Sequence, residues 1–135
     1  MKRTSFEKLR VYELAETLAD HLWTITLQRD QYARDTVGKQ IVRAADSVGA
    51  NIAEGLGRGT PADHQRFVSI ARGSLNETKP WLRRAHKRRL LTEQTVRELK
   101  PKVEELAPRL NAYLRSISER AKRQGAEHPQ LTTCN

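Results

Sequence analysis

The stretch QIVRAADSVGANIAEG, residues 40–55, limits the possible folds of this chain more than any other. Ile41, Ala44, Ala45, Val48 and Ile52 recur at helical period and share one face. Around the rest of the circumference Gly49, Ala50 and Ala53 place almost no side chain, so a second neighbour can come close to the backbone. Glycine inside a helix costs about 1 kcal/mol against alanine, and Gly49 therefore asks for a packing reason. The segment reads as an inner helix of a bundle. The sharper alternative is a helix whose small residues also line a subunit contact. Asn51 and Glu54, polar groups on this largely apolar helix, suit hydrogen bonding that sets helix register better than a catalytic pair.

The remaining pattern is helical as well. Residues 6–27 carry a broad apolar stripe of Leu9, Val11, Tyr12, Leu14, Ala15, Leu18, Ala19, Leu22 and Trp23. Polar residues 28–35 read as a link, and a second helix runs from about Thr36 to Leu56. The glycines of Gly55-Leu56-Gly57-Arg58-Gly59 predict a left-handed helix stop. Thr60-Pro61-Ala62-Asp63 opens a third helix, with threonine as N-cap, proline at the first helical position and an acid in the first turn. It continues to about Arg89, with Phe67, Ile70, Ala71, Ser74, Thr78, Trp81, Leu82 and Ala85 on its inner side. Thr92 caps the fourth helix, where Val96, Leu99, Val103, Leu106, Leu110, Tyr113 and Ile117 alternate steps of three and four. Pro80, Pro101 and Pro108 fall inside these helices, each about 140° or more from the apolar face, which predicts curved rather than broken segments. A break at Lys100-Pro101 is the alternative. Short links between four long amphipathic segments make an all-α, up-down-up-down four-helix bundle over residues 1–121, with a disordered tail over 122–135.

The chain carries 25 Lys and Arg against 16 Asp and Glu, a formal +9. Residues 63–89 hold eight bases and two acids, so two-thirds of the excess lies on the third helix. Arg72, Lys79, Arg83 and Lys87 project into a sector of about 80° opposite the Phe67/Ser74/Trp81/Ala85 side. Arg84 and Arg88 flank the buried side, placed to snorkel or to meet a neighbour. A row of cations suits a phosphate backbone, and with no aromatic in it, shape is expected to be recognised rather than base sequence. Bases near a helix C-terminus also favour the macrodipole, which accounts for Lys87, Arg88 and Arg89 but not for Arg72 or Lys79.

No catalytic constellation is readable, and an enzyme is not expected. His21, His64, His86 and His128 are too dispersed to build a metal site, and nothing calls for a cofactor. The glycine run after the second helix follows no strand and precedes no Lys-Ser or Lys-Thr, so it is a helix stop rather than a phosphate loop. The lone Cys134 reads as a tail thiol. No stretch approaches the ~20 apolar residues that span a bilayer, and the N-terminal residues do not resemble a signal peptide; the cytoplasm is the expected compartment, without a membrane.

The run from Gln40 to Gly55, then Gly57-Arg58, then Phe67-Val-Ser-Ile-Ala-Arg-Gly-Ser-Leu-Asn-Glu77 resembles a known family. These are the four-helix-bundle proteins of intervening sequences in bacterial large-subunit ribosomal RNA genes, related in fold to the accessory variability determinant proteins of diversity-generating retroelements. Leu9-Arg-Val-Tyr12 fits too, with tyrosine where the family often has tryptophan, and the likeness spans roughly 6–117. It implies a pentameric ring, and the accessory relatives imply a basic surface that binds nucleic acid and engages a reverse transcriptase. After Glu77 this chain departs, with Thr78-Lys79-Pro80-Trp81 in place of acidic and aliphatic residues. The first expectation is thus a non-enzymatic, oligomeric binder of RNA or DNA. The rival is an adaptor whose basic face docks an acidic protein; a helix-turn-helix reader is disfavoured by the glycine-rich loop and the long third helix.

Overall fold

The structure, a computed structural model, describes residues 3–127. Among the described residues the long elements are α1 (Arg3–Leu27), α2 (Lys39–Leu56), α3 (Pro61–Lys87) and α4 (Glu93–Glu127). Each packs on two others: α1 and α3 both lie against α2 and α4. With short links between consecutive helices, this is a four-helix bundle of antiparallel neighbours.

The core follows from side-chain periodicity. Leu18 and Leu22 of α1, Val48 and Ile52 of α2, Val68 and Leu75 of α3, and Leu106, Leu110 and Ile117 of α4 are almost wholly removed from water. Burial of each is worth roughly 1.5–3 kcal/mol. Leu9 and Trp23, expected inside, remain 49% and 52% exposed, and in α1's last turns Ile25 and Thr26 take the inner positions. On α3, Ala71, Ser74, Thr78 and Ala85 are buried as expected and Val68 and Leu75 join them, whereas Phe67 is only half-buried and Ile70 is 43% exposed. With the partly buried Leu82, the positions Val68, Ala71, Leu75, Thr78, Leu82 and Ala85 rise in steps of three and four, the spacing that keeps one seam against its neighbours.

Several boundaries differ from the sequence expectation. The link after α1 is short, because Asp30 caps a turn at Gln31–Ala33 by accepting the Ala33 N–H at 2.9 Å. A π-helical turn, Arg34–Gly38, then feeds directly into α2. The expected left-handed stop after α2 is absent: Gly57 is right-handed at φ −82°. Gly55 is needed for a different reason. A Cβ there would stand 3.1 Å from the His64 ring and 3.2 Å from the Phe67 Cβ, where α2 and α3 cross closely. The left-handed stop belongs to α3, where Arg89 adopts φ 61°. The Leu90 N–H bonds the Ala85 carbonyl at 2.8 Å and the Arg89 N–H that of His86 at 3.0 Å, closing a Schellman motif.

Thr60 and Thr92 cap as expected, accepting the Asp63 and Thr95 N–H groups at 3.2 and 3.1 Å. Helices α3 and α4 run unbroken through Pro80, Pro101 and Pro108. Helix α4 continues past residue 121 to Glu127, beyond the expected start of the tail. The rest of that tail, with His128-Pro129 and Cys134, lies outside the described residues. Among the described residues no helix is long and apolar enough to cross a membrane.

Candidate nucleic-acid interface

Arg72, Lys79, Arg83 and Lys87 do share one flank of α3, but not the one diametrically opposite the core. With the seam at Val68, Leu75 and Leu82, the row sits about 75° round the helix, on the side of α4. Lys79 is half-buried there, and Lys79 and Arg83 border a groove of about 350 Å³ between α3 and α4. Its apolar floor includes Leu82, Leu99 and Val103, while Lys100 and Glu104 of α4 stand on the far rim. The Lys100 and Glu104 side chains lie 4.0 Å apart. Among the described residues none of the four cations in the row pairs with a carboxylate. Arg72, Arg83 and Lys87 are exposed.

Arg84 and Arg88 face the other way. The Arg84 guanidinium stacks over the Trp81 ring at 5.3 Å, and Arg88 lines a cleft against the π turn with Tyr32 and Trp81. The six cations grouped by sequence thus divide between two flanks, four beside α4 and two beside α2. A second guanidinium–aromatic cluster lies near the start of α3. Arg58 and Arg66 hold their guanidiniums 4.5 and 4.7 Å from the Phe67 centroid, and each also meets a carboxylate, Glu54 at 2.6 Å and Asp63 at 3.5 Å. Charge along α3 pointed to neither aromatic contact, because Phe67 and Trp81 both read as core by period.

The small-residue helix divides as well. Gly49 is buried against α1, where an added Cβ would meet the Glu16 carboxylate at 2.5 Å. Asn51 donates to the Ser47 carbonyl at 2.8 Å and to its hydroxyl at 2.9 Å, and the Ser47 hydroxyl meets that of Ser74 on α3 at 2.8 Å. This chain ties α2 to α3. Glu54 pairs with Arg58, whereas Ala50 and Ala53 face solvent.

Titratable contacts elsewhere are structural in character. Tyr113 meets His64 Nε2 at 2.8 Å across α3 and α4, and burial pushes its hydroxyl up to about 12. Burial and the Lys102 ammonium, 2.8 Å from Nδ1, hold His21 below the usual histidine range against the opposing pull of Glu98. Partial burial, then the neighbouring Asp20, raise the Asp46 carboxyl. Among the described residues no group of three or more His, Cys, Asp or Glu could hold a metal ion.

Against known proteins, the chain matches the 23S rRNA-intervening sequence protein family over residues 7–112. It belongs to that family. The match takes in the α2 small-residue segment, the whole of α3 and most of α4. A protein of unknown function from the S23 ribosomal protein family of Bacteroides thetaiotaomicron VPI-5482 has a crystal structure similar to this one, with a TM-score of 0.71 at 21% identity. The likeness covers 81% of this chain and 98% of that one, and at this identity it speaks for the fold. No curated protein matches the sequence.

Proposed function

We propose that this family member is a non-enzymatic, homo-oligomeric bundle that holds the phosphate backbone of RNA or DNA along the α4-side flank of α3. The observation that supports this reading is the row Arg72, Lys79, Arg83 and Lys87, four cations on one flank with no carboxylate partner among the described residues. Unpaired cations keep their field for a ligand, and polyanions reward such a row by releasing condensed counterions. A ring, with a pentamer as the form the family resemblance implies, repeats the row by symmetry and raises effective affinity without new contacts. Exposed Leu9, Trp23 and Leu27 on α1, with Ala50 and Ala53 on α2, supply apolar surface for such an assembly.

The test is charge reversal of all four row residues to Glu, with binding of labelled single-stranded and duplex oligonucleotides followed by anisotropy. Binding is expected to vanish while circular dichroism stays helical; unchanged binding overturns the reading. Four phosphate contacts should also weaken duplex binding roughly a hundredfold between 50 and 200 mM salt.

The groove beside the row favours a second reading, an adaptor that docks an acidic, apolar protein segment. A reverse transcriptase is the partner that the resemblance in sequence to retroelement accessory proteins would imply. Pull-down from nuclease-treated lysate separates the two, since the adaptor alone keeps its partner.

A further inference from the structure

The cleft on the opposite flank of α3 has a chemistry the phosphate row lacks. It encloses about 620 Å³, within the range of ligand sites, and its walls include Tyr32, Asp35 and Gln40 from the π-turn side and Trp81 and Arg88 from α3 and its cap. Tyr32 is 80% exposed although its backbone is held. The Thr36 hydroxyl donates to the Tyr32 carbonyl at 2.8 Å, and Asp30 caps the turn. An aromatic ring on a fixed turn with most of its surface in water gains nothing for the core, and π turns recur at functional sites. Trp81 faces the same cleft with Arg84 stacked on its ring at 5.3 Å, and among the described residues the two aromatic rings do not contact each other.

We propose that this cleft accepts one unstacked guanine base of a single-stranded nucleic acid, stacked on Tyr32 and Trp81 and read by Asp35 and Arg88. This rests on the proposed backbone contact and adds a base to it. Planar rings and guanidiniums are the usual platforms for splayed-out bases. The hydrogen-bonding groups select the base. The Asp35 carboxylate only accepts, and among the described residues it has no hydrogen-bond partner. Guanine offers N1–H and the N2 amino group to such an acceptor, while its O6 and N7 take the Arg88 fork. Adenine and cytosine turn a ring-nitrogen lone pair toward the carboxylate. Asp30 and Asp35 also repel phosphate from the cleft, so the backbone stays on the cationic flank. Lys87, Arg88 and Arg89 round the end of α3 connect the two flanks.

The experiment uses the full chain and fluorescein-labelled ten-nucleotide oligouridines, either unmodified or with one central G, A, C or inosine. A single G is expected to tighten binding roughly tenfold over the other bases, with inosine in between because it lacks the N2 amino group. Asp35→Asn and Tyr32→Ala should erase that preference without changing the salt dependence, whereas reversal of the row should weaken all oligonucleotides alike. Equal affinity for every base in the wild type overturns the cleft and leaves the row standing. If no oligonucleotide binds, the row fails and free guanosine becomes the probe, read by Trp81 quenching in a Trp23→Phe background. Saturable quenching lost in Asp35→Asn supports the cleft by itself; absence of quenching, or equal quenching by adenosine, overturns it.

Discussion

Arg89 occupies a backbone conformation that favours glycine, since its Cβ crowds the carbonyl at φ 61°. The Schellman bonds around it show that the turn itself is well made. Arg89→Gly is therefore expected to stabilise the protein by about 0.5–1 kcal/mol, after allowance for the freer unfolded chain, as measured by urea denaturation. A loss of stability would show that the arginine side chain contributes more than its backbone strain removes. His21 predicts a pH effect. Burial and Lys102 lower its pKa in the bundle, whereas in the unfolded chain it protonates near 6.5. Between those two values the unfolded chain binds more protons, so stability falls as pH drops below about 6.5. NMR titration should find the His21 midpoint below 6.5, moving up in Lys102→Met.

At the level of the helix, period alone misjudged the rotation of α3. Phe67 and Ile70 are bulky and apolar, and they drew the expected face toward themselves. The seam keeps the expected Ala71, Ser74, Thr78 and Ala85 but turns to take in Val68 and Leu75 instead of Ile70, and Thr78 hides its hydroxyl by donating to the Ser74 carbonyl at 2.8 Å. Leu75→Ala should accordingly cost about 2–5 kcal/mol, and Ile70→Ala no more than about 0.5, in the same denaturation assay. The start of α2 was misplaced for a related reason: a polar stretch can be helical when Asp30 caps it, and a π turn has no simple apolar period. By contrast, Thr60-Pro61 and Thr92 were legible because capping chemistry is local. That the helices continue through their prolines was legible too, with Pro101 and Pro108 at exposed positions of α4 and Pro80 half-buried on α3.

Across the whole molecule, the cation row and the half-exposed apolar side chains of α1 belong to different helices. The unpaired row lies on the α3–α4 side, while exposed Leu9, Trp23 and Leu27 lie on α1. Leu and Trp side chains left half in water on one helix, together with exposed Ala50 and Ala53 on α2, predict self-association. Light scattering should give a multiple of the 15.5 kDa protomer, and Ala50→Arg with Ala53→Arg should lower that mass while helicity persists. A monomeric wild type at micromolar concentration would exclude the ring.

Amphipathic spacing, end caps and charge totals are properties of neighbouring residues, and they were enough to determine four helices, their order and the excess of cations on the third. What stands beside each helix was decided only by tertiary structure. A helical projection gives an angle about one axis and already separates Arg84 and Arg88 from the row, but the α4 groove and the Tyr32–Trp81 cleft each need a second element brought up from far along the chain. The packing of the bundle supplies that element, because burying four apolar seams together sets the rotation of every helix at once.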